Sequence, residues 1–200
     1  MNCLGCYKKI EKNEYCLSCR KKLFDGKRVS TMLEFDKPKA ENISMYNEHS
    51  KRMSISGVQL KYSLKLVGNK LELCEKNGQY IIKPIPTADH LEMMEDAPEN
   101  EHLTMQIASQ IFNIKTAHNA LIYFKDGTPA YITKRFDVKG DGTKFIQEDF
   151  AQITNRTKET HGESYKYEGS YFEIGELIRK YVPASLSMIA AIFSFPANMS

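Results

Sequence analysis

The sequence lacks any long hydrophobic run. No stretch of its 200 residues approaches the roughly 18 uncharged apolar residues of a membrane span, and its N-terminus has no apolar signal core. These absences argue against membrane-spanning and exported classes and predict a cytoplasmic protein. Hydrophobic content of 42% and charged content of 26% are typical of a globular chain, so disordered, collagen-like and coiled-coil classes fit poorly.

Cysteine is scarce beyond the N-terminus. Four of the five cysteines lie in the first 19 residues, and only Cys74 lies elsewhere. Without an export signal, this clustering favours metal binding over disulfides. Two Cys-x-x-Cys pairs stand nine residues apart, and such tight turns direct both of their thiolates at one ion. The spacing predicts a closed, structural zinc site, with a redox or unligated set as the alternative; its ligands would be Cys3, Cys6, Cys16 and Cys19.

The positive charge is concentrated at the N-terminus. Residues 1–52 carry 12 Lys and Arg against 7 Asp and Glu, whereas the remaining residues carry 16 against 18. Basic residues around the cysteines are typical either of nucleic-acid contact or of a solvated basic face, and the sequence leaves both open.

Short strands separated by turn signals begin after residue 54. The pattern predicts strands at 62–67, 70–74, 79–84, 119–125 and 130–136. Asn77-Gly78 is the strongest local hairpin signal, between the second and third strands. Asp96 and Glu99 form the pattern of a capping box for a helix whose apolar stripe is Leu103, Ile107 and Ile111, widened by Ala108 and Phe112. Further helices are predicted near 148–155 and from 170 to 182. The order of elements indicates an α+β fold.

These patterns divide the chain into four parts. We expect a zinc knuckle at 1–24, a polar linker at 25–52, an α+β domain at 53–184 and an atypical tail at 185–200. No charged residue occurs from Tyr181 to Ser200. That stretch is read either as a short buried helix or as the mark of a truncated or frame-shifted gene.

Three separated features suggest phosphate handling. Residues 54–61 form a small-residue loop with one glycine and a lysine, which suits backbone and ammonium contacts to phosphate. Lys83 ends an apolar strand, and Glu101 lies 18 positions on in the predicted helix. A strand lysine held by a helix glutamate is how kinase-like folds fix the phosphates of ATP. Each feature alone is more typical of an ordinary turn or surface residue.

Together these segments resemble HipA-family serine/threonine kinases, the toxins of bacterial HipA/HipB-type toxin–antitoxin systems. The resemblance covers roughly residues 53–182 and rests on five blocks in register: Ser54–Lys61, Ile81–Pro84, Asn100-Glu101, Lys134–Asp137 and Gln147–Asp149. It implies a kinase-like N-lobe, made of an antiparallel sheet plus a helix, with the first helices of a C-lobe. It also implies ATP and magnesium as cofactors, and a protein substrate and an antitoxin as partners.

The resemblance also implies roles for single residues. Ser54 matches a regulatory autophosphorylation site. Lys83 would hold the ATP phosphates, and Glu101 would orient it. Arg135 and Asp137 would fix the segment after the last strand, with a structural ion pair as the alternative. The phosphate loop would comprise Ser56, Gly57, Gln59 and Lys61, and adenine would be contacted through the backbone of Lys134 and Phe136. Gln147-Glu148-Asp149 would begin the larger lobe.

Two departures from the family bear on activity. The zinc knuckle and linker stand where the family has an N-terminal subdomain. Phosphoryl transfer also needs an Asp followed about five residues later by an Asn for magnesium, yet no Asp of this sequence has an Asn at that position. We therefore expect a kinase fragment that binds ATP but is inactive alone. The alternatives are a zinc-containing DNA- or antitoxin-binding module on a kinase-like scaffold, and an enzyme completed by a second chain.

Overall fold

The computed structural model describes residues 1–12, 14–39, 41–50, 60–86, 93–139, 142–146 and 148–182, with only the backbone for 47–50. The chain divides into two compact units, Met1–Lys144 and Phe145–Ser200. Strands and helices both occur, as predicted for an α+β protein. None of the helices in the described ranges has both the length and the hydrophobicity of a transmembrane span.

The first unit contains a five-stranded antiparallel sheet. Its strands are β1 (Tyr62–Val67), β2 (Lys70–Leu73), β3 (Tyr80–Pro84), β4 (Asn119–Tyr123) and β5 (Pro129–Lys134). Their spatial order is β2-β1-β3-β5-β4. Three helices accompany the sheet in the described part of this unit: α1 (Leu17–Phe24), α2 (Ile43–Ser50) and α3 (Ala97–Gln110), the last preceded by a 3-10 turn at Met94–Asp96.

The prediction of a hairpin at Asn77-Gly78 is wrong, because β2 and β3 are not neighbours in the sheet. β1 lies between β2 and β3, pairing Leu66 with Leu71 on one side and Tyr62 with Ile82 on the other. The 74–79 connection instead crosses β1 near its beginning, at Ser63 and Leu64. Gly78 permits the crossing, because a Cβ at this position would lie 1.7 Å from Ser63 Oγ. A hairpin signal specifies a tight turn, but not which strands flank it.

The predicted apolar stripe of α3 coincides only in part with its buried face. Ala108 is buried and Ile107 is half-buried, as predicted. Leu103 is 47% exposed and Ile111 68% exposed, however, and the other buried helix residues are Pro98 and His102. The Asp96 side chain also makes no capping hydrogen bond, so the predicted capping box is absent. The helix begins as a continuation of the 3-10 turn, which already contains Asp96, with Pro98 in its first turn.

The hydrophobic core of this unit includes residues from the N-terminal segments. Tyr15 and Phe24 from the cysteine region, and Tyr46 from α2, are buried among sheet residues. Leu33 donates its amide N–H to the Tyr123 carbonyl at 2.8 Å. Residues 25–52, predicted as a linker from their polarity, therefore supply a helix and core side chains.

The second unit contains three short helices in its described part: α4 (Phe150–Ile153), α5 (Lys158–His161) and α6 (Tyr171–Tyr181). Each begins with a reciprocal capping box, headed by Asp149, Thr157 and Ser170 respectively. The helix predicted at 170–182 is confirmed as α6, whereas the one predicted near 148–155 has only four residues. The atypical tail predicted at 185–200 lies outside the described residues.

Candidate functional site

An ion pair joins strand β3 to helix α3. Lys83 Nζ lies 2.5 Å from Glu101 Oε1, and the two side chains are 27% and 24% exposed. Lys83 stands directly opposite Tyr131 of β5, and its ammonium lies 5.5 Å from the centre of the Tyr131 ring. The lysine is thus held by a carboxylate and an aromatic face, while part of it still reaches solvent.

Sequence reasoning did not single out Tyr131. Its hydroxyl is buried and has no hydrogen-bond partner among the described residues. Burial raises the pKa of this phenol, so it stays protonated at neutral pH. An apolar strand predicts a packed residue at this position, but only the β3–β5 register places the ring beneath the lysine.

Most of the predicted phosphate loop lies outside the described residues. This applies to Ser54, Ser56, Gly57 and Gln59. Lys61 is described and is half-buried immediately before β1, whose first residue, Tyr62, pairs with Ile82 beside Lys83. The backbone therefore brings the end of the loop to the strand that carries Lys83.

The two residues predicted to contact adenine lie at the end of β5 and just beyond it. The Lys134 backbone N–H donates to the His118 carbonyl at 2.8 Å, and its ammonium lies 2.6 Å from Asp25. The Phe136 side chain is 73% exposed. A role of Lys134 and Phe136 in adenine contact stays a prediction.

Arg135 and Asp137 form a largely buried, bidentate ion pair. Arg135 Nε donates to Asp137 Oδ1 at 2.8 Å, and a second guanidinium nitrogen donates to Oδ2. Their side chains are only 12% and 11% exposed. The guanidinium hydrogen bonds lower the pKa of Asp137, and they outweigh the effect of burial, which raises it. The pair braces the chain where it leaves the sheet.

The predicted zinc ligands converge on one point. The Sγ atoms of Cys3, Cys6, Cys16 and Cys19 all lie within 4.8 Å of one another. Backbone N–H groups of Gly5 and Cys16 point at Cys3 Sγ, at 3.4 and 3.2 Å. A hydrogen bond from the Cys19 thiol, helped by these two N–H groups, lowers the pKa of Cys3 to about 4.

This donor set fits zinc. Four soft thiolates from two turns match tetrahedral Zn²⁺, and they leave no position open for a reactive water. Gly5 is part of the fit, because a Cβ there would lie 2.9 Å from Cys19 Sγ. When bound, zinc would supply structural cross-linking and no chemistry.

The cysteine turns are attached to the sheet by specific contacts. The Tyr15 hydroxyl donates to the Leu121 carbonyl at 2.8 Å, and the Leu121 N–H donates to the Leu4 carbonyl at 2.9 Å. Edge strand β4 therefore carries the knuckle. Residue spacing reveals the ligands, but no sequence signal reveals this attachment.

Together, the antiparallel sheet and a helix glutamate paired with a strand lysine define a kinase-like N-lobe. The family described as HipA-like C-terminal domain matches residues 53–195. The chain belongs to this family of HipA-like kinases. It is also 26% identical over 200 residues to a Haemophilus influenzae protein named "Putative kinase". The match covers 93% of this chain and 55% of that protein, so the chain spans about half the length of the curated relative that it matches.

Proposed function

We propose that this chain is the nucleotide-binding part of a HipA-like serine/threonine kinase and that it binds ATP with magnesium. The Lys83–Glu101 ion pair carries this proposal. In kinase-like folds a strand lysine contacts the α- and β-phosphates, and a helix glutamate fixes its direction. Here the pair is formed, and it is exposed enough for an ammonium proton to reach a phosphate oxygen.

The phosphate loop supports the same function from the sequence. Ser56, Gly57 and Gln59 precede Lys61, and a small-residue loop can offer backbone N–H groups to the phosphates of a nucleotide bound at Lys83. Magnesium would bridge phosphate oxygens and offset their charge. Ser54 would be the regulatory serine of this loop, as the family resemblance implies.

We further propose that the 200 residues do not transfer phosphate by themselves. No Asp is followed by Asn five positions later, and Asp149 is the last aspartate. The chain thus offers no residue pair to position an attacking hydroxyl and to hold a second metal ion. In a complete kinase of this type, the substrate would be a serine of another protein, and an antitoxin would be the regulatory partner.

Titration of the zinc-loaded chain with a fluorescent ATP analogue and magnesium tests nucleotide binding. We expect saturable binding that Lys83→Met weakens by about tenfold or more, because a charge-assisted contact is lost. Lys65→Met is the matched control, since Lys65 lies exposed on β1 in a 3.8 Å pair with Glu72. Equal affinities of the two variants would contradict the assignment.

Intact mass before and after incubation with magnesium and ATP tests the proposed inactivity. We expect no change in mass. Added phosphate mapped to Ser54 would show that phosphoryl transfer proceeds without the Asp–Asn loop, and the proposed division of roles would then be wrong.

A second candidate function is nucleic-acid contact, favoured by one groove of about 440 Å³ beside the knuckle. Lys8, Lys22, Lys115 and His118 line it, with no acidic residue in the lining. Burial, together with the nearby charges of Lys22, Lys134 and Lys115, lowers the pKa of His118. The competing explanation is that these lysines offset the net negative charge of a zinc tetrathiolate.

The salt dependence of binding to duplex DNA separates these explanations. Each phosphate contact contributes about −0.9 to the slope of log affinity against log salt. If the groove binds DNA, Lys22→Gln with Lys115→Gln should make the slope shallower by about 2, whereas Lys65→Gln should not change it. Absence of binding at low salt would exclude this second function.

A further inference from the structure

The four-cysteine site contacts helix α3, which carries Glu101. Tyr7 directly follows the ligand Cys6, and its ring centre lies 4.9 Å from that of His102. At the last residue of the helix, Gln110 Nε2 donates to the Cys6 carbonyl at 3.2 Å. One cysteine turn therefore touches α3 at two points, eight residues apart along the helix.

The conformation of Tyr7 depends on that turn. Its N–H donates to the Cys3 carbonyl at 2.9 Å, and its φ of 60° lies in the left-handed region. This conformation is unfavourable for a tyrosine by about 1–2 kcal/mol, so the surrounding structure must impose it. A metal ion joining Cys3 and Cys6 would close the turn and hold the ring in place.

His102 receives this contact at the buried side of α3. It is 0% exposed, and its Nδ1 lies 2.8 Å from Asn119 Oδ1 at the start of β4. Because the amide oxygen is an acceptor, Nδ1 carries the proton. The Nε2 atom is buried without a partner among the described residues. Gln106 adds a second bond to Asn119, at 3.0 Å.

We propose that the metal-closed cysteine turn is a fixed support for α3 and thereby positions Glu101 against Lys83. His102 and Glu101 are consecutive, so a helix rotation or shift that moves one moves the other. The hydrogen bond of the ion pair depends on geometry, since such bonds have heavy-atom distances up to about 3.2 Å and weaken steeply as the angle at the hydrogen falls below about 120°. Tyr7 and His102 are therefore positioning residues. The consequence for ATP rests on the function proposed above, whereas the mechanical link does not.

Amide hydrogen exchange of the full chain, with zinc and after chelation, tests the link directly. We expect metal removal to speed the exchange of α3 amides, including that of Glu101, by about tenfold or more, while the distant amides of β2 change much less. Unchanged exchange in α3 after confirmed metal loss would overturn the proposal.

If chelation unfolds the whole chain, exchange in β2 will also become faster. A variant that keeps its metal then distinguishes a local loosening of α3 from global unfolding. Tyr7→Leu removes the ring but leaves all four thiols, so one zinc per chain should remain. We expect Tyr7→Leu to speed the exchange of α3 amides about as much as metal removal does. Tyr7→Phe, which keeps the ring, should show the protection seen in the unmodified chain. Tyr167→Leu, at a site that is 73% exposed, is the matched control. Normal protection of α3 in Tyr7→Leu would overturn the proposal.

The affinity of the same variants for the ATP analogue separates the mechanical link from its consequence for nucleotide binding. Weaker binding by Tyr7→Leu, restored in Tyr7→Phe, would support both the link and its role in nucleotide binding. A loosened α3 with unchanged affinity would support the link and overturn the role given to Glu101 under the proposed function.

Discussion

At the scale of single residues, Gly5 determines whether the thiolates can close on one ion. Its N–H points at Cys3 Sγ, and the space of its missing side chain is filled by Cys19. A cysteine motif specifies the ligands, but the residues between them control how closely the two turns approach.

Gly5→Ala should therefore weaken zinc binding. The new methyl group would lie 2.9 Å from Cys19 Sγ and 3.0 Å from Cys19 Cβ, so the ligand must shift. Changes beside metal ligands commonly reduce affinity by about 10- to 100-fold, and competition with a chromophoric chelator measures this. Ser18→Ala, at an exposed position of the knuckle, is the control. Equal affinities would show that the turn relaxes freely.

Asp137 gives a second prediction at this scale. Asp137→Asn would leave the Arg135 guanidinium largely buried without its charge partner, and the free energy of unfolding should fall by about 3 kcal/mol. Urea denaturation at neutral pH measures the loss. Glu72→Gln is the control, because its 3.8 Å pair with Lys65 is exposed and should change stability by less than about 1 kcal/mol.

The pH dependence of this difference has a defined sign. The folded-state pKa of Asp137 is depressed, so its stabilisation is complete above the ordinary Asp pKa, near 4, and is lost as pH falls through the folded value. The gap between the unmodified chain and Asp137→Asn should therefore shrink below about pH 4. A gap that widens on acidification would contradict the assignment.

At the scale of elements, the order of the strands depends on one crossing. The 74–79 connection carries the chain from β2, across the first part of β1, to β3. The Cys74 N–H donates to Ser63 at 3.0 Å and the Gln79 N–H to Leu64 at 2.9 Å, so its backbone is tied to β1 at both ends. Gly78 lies between these two bonds, against Ser63.

Gly78→Ala should destabilise this crossing. The added Cβ would overlap Ser63 Oγ at 1.7 Å, and overpacking of this kind typically costs about 1–3 kcal/mol. Thermal unfolding of the single variants and of Gly78→Ala with Ser63→Ala forms a double-mutant cycle. Removing the hydroxyl should recover part of the loss. Additive effects would mean that the two residues do not meet.

At the scale of the whole molecule, the main hydrophobic cluster among the described residues lies in one unit of the chain. Every residue of the main hydrophobic cluster lies between positions 4 and 132, within the unit Met1–Lys144. Knuckle residues such as Tyr15 and Leu23 are in this cluster, so metal binding and folding of the sheet should be thermodynamically linked.

A fragment of residues 1–144 should consequently fold alone when zinc is present. We expect a cooperative unfolding transition by circular dichroism, with a midpoint that rises with zinc concentration. A fragment of residues 25–144 is the control and should lose this transition, because it lacks the knuckle side chains of the core. Cooperative unfolding of the shorter fragment would show that the sheet does not need the knuckle.

Local patterns in the sequence determined the strand segments and the metal ligands. The alternation at 62–67 matches β1, and paired Cys-x-x-Cys motifs identify the four thiols because ligand spacing within a turn is a local property. The kinase family was also recognisable, because five short blocks retain their order and spacing. The predicted roles of these blocks in nucleotide binding stay predictions.

Only the tertiary structure decided which elements meet. Alternation does not specify which strand lies beside which. The Asn77-Gly78 signal therefore predicted that β2 and β3 pair, whereas β1 lies between them. Periodicity placed Ala108 correctly on the buried face of α3, but it also indicated Leu103 and Ile111, which are exposed. His102 is buried there instead, because a bond to Asn119 makes burial of the imidazole favourable. The attachment of the cysteine turns to α3 and β4 depends on contacts between residues about 100 positions apart, and no local pattern in the sequence encodes such distant pairs.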